Sequence, residues 1–311
     1  MSLSAVLASL DLLDSARVTG AAVVDAWRAA GLDLVETATI RGPRGTTDLV
    51  RAIVPGSRGR RAGGEAPTLG IVGRLGGIGA RPEQIGLVSD GDGAVTAVAA
   101  ALKLGRMRRE GDALDGDVIV ATHICPHAPT QPHAPVPFMG SPVDMATLNR
   151  EEINPEMEAI LSIDTTRGNR VINHRGFAIS PTVKAGWILK VSDDLLDIQQ
   201  IVTGRLPAVF PLTMQDITPY GNGVYHLNSI LQPATATDAP VVGLALTAEV
   251  AVPGSATGAS QPTDIELAVR FVIEVAKAFG RGRCRFYDAA EWESIQKRYG
   301  SMAHLMTAGR E

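Results

Sequence analysis

Cysteine and aromatic side chains are scarce in this chain of 311 residues. It has 2 Cys, Cys125 and Cys284, and 4% aromatic residues against 45% hydrophobic ones. Two cysteines so far apart in sequence cannot build the disulfide framework of a small secreted domain. We therefore expect a reducing, cytoplasmic location.

Two further absences exclude classes of partner. The chain has 29 basic and 33 acidic side chains, a net charge of −4, whereas nucleic-acid-binding proteins usually carry a basic excess. No apolar run approaches the about 20 residues that cross a bilayer, and the N-terminus lacks the basic region of a secretory signal. We expect neither a nucleic-acid nor a membrane partner.

Helical and strand-like segments alternate along the chain, separated by Gly and Pro. The patterns predict helices over 4–13, 19–30, 94–104, 193–204 and 263–279, strands over 68–72, 117–122, 159–163 and 241–246, and hairpins over 34–54 and 178–191. Such alternation is typical of an α/β sheet covered by helices.

We predict a single α/β domain over 1–311 with a mixed sheet in a three-layer α/β/α arrangement. Its ends are N-terminal helices in 1–32 and a helical tail in 280–311, where Asp288-Ala-Ala-Glu291 matches a capping box. Residues 122–145 form a Pro/His-rich arm.

Polar side chains follow two of the predicted strands and precede one predicted helix. Asp90 lies before the helix over 94–104; His123, Cys125 and His127 follow one strand, and Asp164 follows another. Ligands of open α/β sheets bind beyond the carboxyl ends of the strands. Carboxylates and imidazoles bind Zn²⁺ or another divalent metal, which lowers the pKa of a bound water. The pattern indicates metal-assisted hydrolysis, and in an extended segment 123, 125 and 127 point to one face.

Each of these features also has a structural interpretation. Asp90-Gly-Asp-Gly93 is a common turn and helix cap, and Asp164 can cap a strand end. Prolines at 126, 129, 132 and 135 have the period of a polyproline II arm. Cys125 can be an ordinary buried thiol.

Three other regions supply candidate substrate-binding residues. Arg74, in the Gly-rich segment 73–79, can hold a substrate carboxylate, although the glycines also suit close packing. That segment lacks the G-x-G-x-x-G order of a dinucleotide site. Asn222 and His226 lie in a Gly- and Tyr-rich segment, and Glu249 follows the strand over 241–246.

Several stretches resemble, in order, the core of the co-catalytic zinc aminopeptidase and carboxypeptidase superfamily. They are Ser89-Asp-Gly-Asp-Gly-Ala-Val, Leu114-Asp-Gly-Asp-Val-Ile-Val-Ala-Thr122, Ala159-Ile-Leu-Ser-Ile-Asp-Thr165, and Ala239-Pro-Val-Val-Gly-Leu-Ala-Leu246 with Thr263-Asp-Ile-Glu-Leu-Ala-Val269. The resemblance implies a zinc-peptidase-like (phosphorylase/hydrolase-like) fold. It gives Asp90 the bridging metal position and Asp164 a terminal one.

The chain departs from that superfamily at other ligand positions. No His lies at Gly73-Arg-Leu75 or Thr257-Gly-Ala-Ser260, and Cys125-Pro126 stands where a Glu-Glu pair is expected. The resemblance thus implies that His123 replaces a missing metal ligand, and that Cys125 or His127 takes the place of the general base. Arg74 or Asn222 would orient the substrate.

A closer resemblance covers nearly the whole chain. Ile85-Gly-Leu-Val-Ser-Asp-Gly-Asp-Gly93, Thr122-His-Ile-Cys-Pro126 and Pro137-Phe-Met-Gly-Ser-Pro142 are similar to a bacterial domain-of-unknown-function family, number eleven seventy-seven. That resemblance brings no activity with it.

Three hypotheses follow. The first is a zinc- or other metal-dependent hydrolase of amide bonds in a small-molecule or short peptide substrate. The second is a metal-free hydrolase in which neighbouring imidazoles activate Cys125 as a thiolate. The third is a degenerate binding protein that uses the old cleft for a small or peptidic ligand.

The Pro-rich arm and the terminal helices are candidate contacts for a homodimer.

Overall fold

A computed structural model of the chain describes residues 1–15, 17–74, 91–125, 128–131, 138–166, 168–212, 227–249 and 260–306. The helices are α1 (Ser2–Leu13), α2 (Gly20–Ala29), α3 (Asp92–Arg109), α4 (Met145–Glu152), α5 (Asp193–Thr203), α6 (Pro262–Gly280) and α7 (Ala289–Tyr299). The strands are β1 (Leu34–Gly42), β2 (Gly45–Val54), β3 (Leu69–Gly73), β4 (Val118–Ile124), β5 (Thr130–Gln131), β6 (Phe138–Met139), β7 (Ala159–Thr165), β8 (Gly176–Ile179), β9 (Thr182–Lys184), β10 (Trp187–Leu189) and β11 (Val241–Thr247).

A mixed sheet forms the centre of the fold. Its strand order is β1-β2-β4-β3-β7-β11-β9-β10, and β8 also pairs with β11. The four central strands β4, β3, β7 and β11 run parallel to one another, whereas β2 is antiparallel to β4. The carboxyl ends of the four central strands therefore meet at one edge of the sheet.

Helices cover both faces of the sheet. On one face α1, α3 and α6 pack together over apolar side chains such as Ile71, Val120 and Leu161. On the other face, Val72, Ile119 and Ile160 form a smaller cluster with the 3-10 helix Ser229–Ala236, which contacts α4. This arrangement confirms the predicted three-layer α/β/α mixed sheet.

The periodicity in sequence locates most elements because their apolar faces are regular. The predicted strands over 68–72, 117–122, 159–163 and 241–246 correspond to β3, β4, β7 and β11, and the hairpin over 34–54 to β1 and β2. Asp288 caps α7 by accepting hydrogen bonds from the backbone of Ala290 and Glu291. The prediction over 178–191 is right for the β9–β10 hairpin, but β8 pairs with β11 instead.

The described part of the predicted Pro/His-rich arm contains two short paired strands. Residues 126–127 and 132–137 lie outside the described part of the chain. In the remainder, β5 pairs with β6 in antiparallel register, with Thr130 opposite Met139. The helix α4, which the sequence analysis did not predict, follows directly.

Within the described residues, no helix is both long and apolar enough to cross a membrane.

Candidate functional site

The strand register brings three predicted site residues side by side at the carboxyl edge of the sheet. Gly73 of β3 lies opposite Thr122 of β4 and Ile163 of β7. Continuing this register by one residue sets Arg74 between His123 and Asp164. Because paired residues of parallel strands point to the same face, all three side chains belong to the α4 side, the face of Val72, Ile119 and Ile160.

Helix α4 adds a fourth side chain, Glu152, which binds two of these three. One carboxylate oxygen, Oε2, accepts a hydrogen bond from Nη1 of Arg74. The other, Oε1, lies 2.5 Å from Nδ1 of His123. The buried carboxylate thus joins β3 to β4 through a cation and an imidazole, and we call these three side chains the strand-end cluster.

The strand-end cluster is almost completely removed from solvent. The exposed fractions of the Arg74, His123 and Glu152 side chains are 3%, 2% and 0%. Burial opposes ionisation of Glu152, but the Arg74 guanidinium and the His123 imidazole outweigh it and hold the pKa of this carboxyl below its ordinary value. Glu152 is consequently a carboxylate that accepts hydrogen bonds from both neighbours.

The main chain at Arg74 is fixed by the sheet and by the start of α3. Its backbone N–H donates to Ile163 O at 2.6 Å, which extends the β3–β7 pairing past the end of the strand. A Cβ at Gly93 would lie only 2.4 Å from Arg74 O, so the first turn of α3 approaches this peptide closely. Glycine at 93 is what permits this approach.

The start of α3 meets the start of α6 at the same edge. Asp92, the first residue of α3, is 1% exposed. Its Oδ1 accepts a hydrogen bond of 2.5 Å from the Ser260 hydroxyl, which lies just before α6. The structure thus gives Asp92 a direct contact across the two helices. Asp90, to which the resemblance gives the bridging metal position, lies outside the described residues.

Cys125 and Asp164 have different surroundings. Cys125 follows the end of β4, is 2% exposed and is a free thiol. Burial raises its pKa to about 11, and of the groups that act on it Thr47 and Asp48 are the polar ones. No imidazolium of a described residue is among them. Asp164 is half-buried, and its Oδ1 accepts a hydrogen bond of 2.8 Å from the Thr165 backbone.

Of the other predicted site residues, one is exposed and four lie outside the described part of the chain. Asp90, His127, Asn222 and His226 are outside the described residues. Glu249 is exposed, two residues after the end of β11. Their proposed roles stay predictions.

Glu152 is the functional candidate that the sequence analysis missed. Its helix begins at the cap residue Asp144, whose side chain accepts from Thr147 N. Met145, Leu148 and Glu152 have the spacing i, i+3, i+7 of one helix face, and Leu148 on that face is buried. An acidic residue in a buried stripe of a capped helix was the available signal.

The described donors do not by themselves make a metal site. No group of three or more His, Cys, Asp or Glu side chains in the described ranges is arranged to hold a metal ion. Both oxygens of Glu152 are already engaged by Arg74 and His123. The set Asp90, His123 and Asp164 stays a prediction because Asp90 lies outside those ranges.

Two solved structures show the fold. A glutaminyl cyclase from an Acidobacteriales bacterium matches with a TM-score of 0.51 at 13% identity, over 90% of this chain and 94% of its own. Leucyl aminopeptidase from Trypanosoma brucei matches with a TM-score of 0.50 at 12% identity, over 87% of this chain. The match spans 62% of the length of that aminopeptidase. The predicted zinc-peptidase-like fold is therefore confirmed.

The sequence comparisons identify the family. Curated proteins give no significant match. One family profile matches residues 38–309, which is most of the chain and includes every residue of the strand-end cluster. The chain belongs to the family described as "Protein of unknown function (DUF1177)".

Proposed function

We propose that the protein is a hydrolase of amide bonds in a small or peptide-like substrate, with His123 as general base. The observation that carries the proposal is the buried pair of Glu152 Oε1 and His123 Nδ1, 2.5 Å apart, at the carboxyl edge of the parallel strands. This edge is where α/β sheets bind their ligands. A carboxylate that orients an imidazole is a recurrent part of hydrolytic sites.

The chemistry follows from the tautomer that Glu152 selects. A carboxylate accepts hydrogen bonds, so it favours the proton on Nδ1 of His123 and leaves the lone pair on Nε2. Nε2 removes a proton from water as the water oxygen bonds to the substrate carbonyl carbon. The C–N bond then breaks, and the proton on Nε2 passes to the leaving nitrogen.

The remaining residues are assigned by position. Asp164, beside Arg74 on the same face, is suited to bind a substrate ammonium or amide N–H. Glu249, Asn222 and His226 are retained as proposed substrate contacts. Cys125 is less suited to the role of base than His123, because burial raises the pKa of its thiol to about 11. His127, outside the described residues, is retained as the alternative base.

The test is an assay of hydrolysis over a library of amides and dipeptides. The amine released is measured for the wild type and for matched histidine variants. His123→Gln is expected to lose about 10²–10⁴-fold in kcat, the usual contribution of a general base. His174→Gln is the control and should retain activity, since His174 is half-buried and its hydrogen bond within the described residues joins Nε2 to the backbone O of Phe177 at 3.3 Å. Equal activity of wild type and His123→Gln would contradict the proposal.

A metal-dependent hydrolase is the second candidate. It is favoured by one observation, that His123 and Asp164 share a face at neighbouring strand ends. Zn²⁺ or another divalent ion held by Asp90, His123 and Asp164 would polarise the substrate carbonyl. Chelation followed by readdition of Zn²⁺, Mn²⁺ or Co²⁺ distinguishes the candidates, because only this one predicts loss and recovery of turnover.

Two other hypotheses give different results in the same assays. A Cys125 thiol hydrolase would lose turnover in Cys125→Ala, which we expect to be active because a thiol with a pKa of about 11 is scarcely ionised at neutral pH. A binding protein would retain a small or peptidic ligand but release no amine from any library member.

A further inference from the structure

The main chain of Arg74 lies between the two described residues that were predicted to share a metal. His123 belongs to β4 and Asp164 to β7, and β3 lies between these strands. Neighbouring strands are about 4.8 Å apart, so the main chains at His123 and Asp164 are separated by about 10 Å. An ion that joined these two side chains would therefore lie over Arg74.

The Arg74 side chain carries a permanent positive charge in this place. A guanidinium is not deprotonated in proteins, and this one is 3% exposed. Burial strengthens its interactions because water no longer screens them. A divalent cation placed over Arg74 would thus be repelled by a charge that the protein cannot remove.

Arg74 is held both at its backbone and at its guanidinium. The backbone of Arg74 is fixed by its hydrogen bond to Ile163 O. At the other end, Nη1 binds Glu152, and Nη2 lies 4.0 Å from the sulfur of Met145, two turns earlier on α4. Arg74 therefore connects the sheet edge to a face of α4.

We propose that Arg74 is the resident cation of this site, a positioning residue that holds Glu152 against His123 so that the site works without a divalent ion. The inference rests on the proposed hydrolase function. A carboxylate behind an imidazole also occurs at metal-bound histidines. What distinguishes this chain is the guanidinium on the second oxygen of the same carboxylate.

The experiment follows the His123 ring by ¹⁵N NMR and measures metal content in protein purified without a nickel column. For wild type we expect the Nδ1-protonated tautomer, unchanged by EDTA or by dialysis against Zn²⁺, and substoichiometric zinc. Arg74→Gln should shift His123 toward a mixture of tautomers, because Glu152 loses its second partner. Arg74→Lys keeps the charge and should shift it less.

Arg51→Gln is the matched control. Arg51 lies on β2 and also binds α4, since its Nη2 donates to Glu151 O at 2.5 Å. It contacts α4 one residue from Glu152 but does not touch that carboxylate. This variant should leave the His123 tautomer unchanged, which separates the loss of Arg74 from a general loosening of α4.

Two results would overturn the proposal. One is stoichiometric zinc in wild type whose removal changes the His123 resonances. The other is a folded Arg74→Gln protein with the wild-type tautomer. If Arg74→Gln does not fold, Arg74→Lys and the wild-type metal measurements decide. Neither readout needs a substrate, so an absence of amide hydrolysis refutes the proposed function and leaves the tautomer and metal results standing. Zinc bound at His123 refutes this inference and favours the metal-dependent candidate instead.

Discussion

Two buried carboxylates lie near opposite ends of strand β4, and their partners differ in kind. Asp117 directly precedes the strand and is 2% exposed. Its oxygens accept backbone hydrogen bonds from Gly56 N at 2.8 Å and Arg61 N at 3.0 Å. Glu152 meets His123 about 20 Å further along the strand, and its partners are the charged or titratable side chains of Arg74 and His123.

The difference indicates what each end is built for. Backbone N–H groups neither change protonation nor move independently, so Asp117 fastens the loop of residues 56–61 to the sheet. An imidazole can take up and release a proton. Glu152 therefore has a partner that can exchange a proton, whereas the described partners of Asp117 are backbone groups.

Removing Glu152 should produce the largest effect on stability. In Glu152→Ala the Arg74 charge stays buried without its carboxylate, which typically costs about 3–5 kcal/mol. Urea denaturation should show this as a lower midpoint with a similar slope.

The double variant Arg74→Met with Glu152→Leu sharpens this test. It removes both charges together, so it should be more stable than Glu152→Ala. If the two denature at the same urea concentration, the charge of Arg74 is not the source of the loss.

Asp117→Asn should have the second largest effect. One amide oxygen can still accept a hydrogen bond, but the amide NH₂ then faces a backbone N–H, and the unsatisfied donor costs about 1–3 kcal/mol. The same denaturation experiment measures it, and amide turnover should be unchanged. A loss of turnover equal to that of His123→Gln would remove the distinction between the two ends.

The sequence predicted the sheet well because its strands are apolar in a regular way. β3, β4, β7 and β11 are buried runs of Val, Ile, Leu and Ala between glycines and prolines. In the structure these strands run parallel, with β3 between β4 and β7. The position of His123 and Asp164 at one edge is then a geometric consequence.

The strand-end cluster could not be predicted in the same way. Glu152 meets His123 from 29 positions away and Arg74 from 78, and no periodicity encodes such a contact. Arg74 was interpreted as a substrate-binding residue because an arginine that follows a strand and has no known partner is typical of such a residue. Its burial and pairing with Glu152 appear only once α4 is placed over the sheet.

The cap of α4 provides a smaller test at the Glu152 end. Asp144 accepts hydrogen bonds from the backbone and hydroxyl of Thr147, which lower its pKa. Its contribution to stability is thus present above its unfolded pKa of about 3.9 and is lost as pH falls through the lower folded value. Asp144→Ala should cost about 0.5–2 kcal/mol, near the low end because Asp144 is exposed.

Asp144→Asn is the control for this cap. Asparagine caps helices comparably but does not titrate. The stability of Asp144→Asn should therefore be near that of wild type at neutral pH. In acid, its stability should fall less than that of wild type, because the contribution from ionised Asp144 is absent. Denaturation series at pH 7 and pH 3 compare the three proteins. If Asp144→Ala and wild type differ equally at both pH values, ionisation of Asp144 does not contribute.

The smallest effect is expected at the exposed ion pairs around Asp117. Arg61 binds Glu156 at 2.7 Å, and the two side chains are 37% and 43% exposed. Water and salt screen such a pair, so Glu156→Gln should change stability by less than about 1 kcal/mol, and the change should shrink further in 0.5 M NaCl. The comparison with Glu152→Ala is informative because each variant removes a glutamate that binds an arginine. A loss of stability in Glu156→Gln as large as in Glu152→Ala would mean that burial does not set the strength of these ion pairs. The two ends of β4 would then differ only in the partners of their carboxylates.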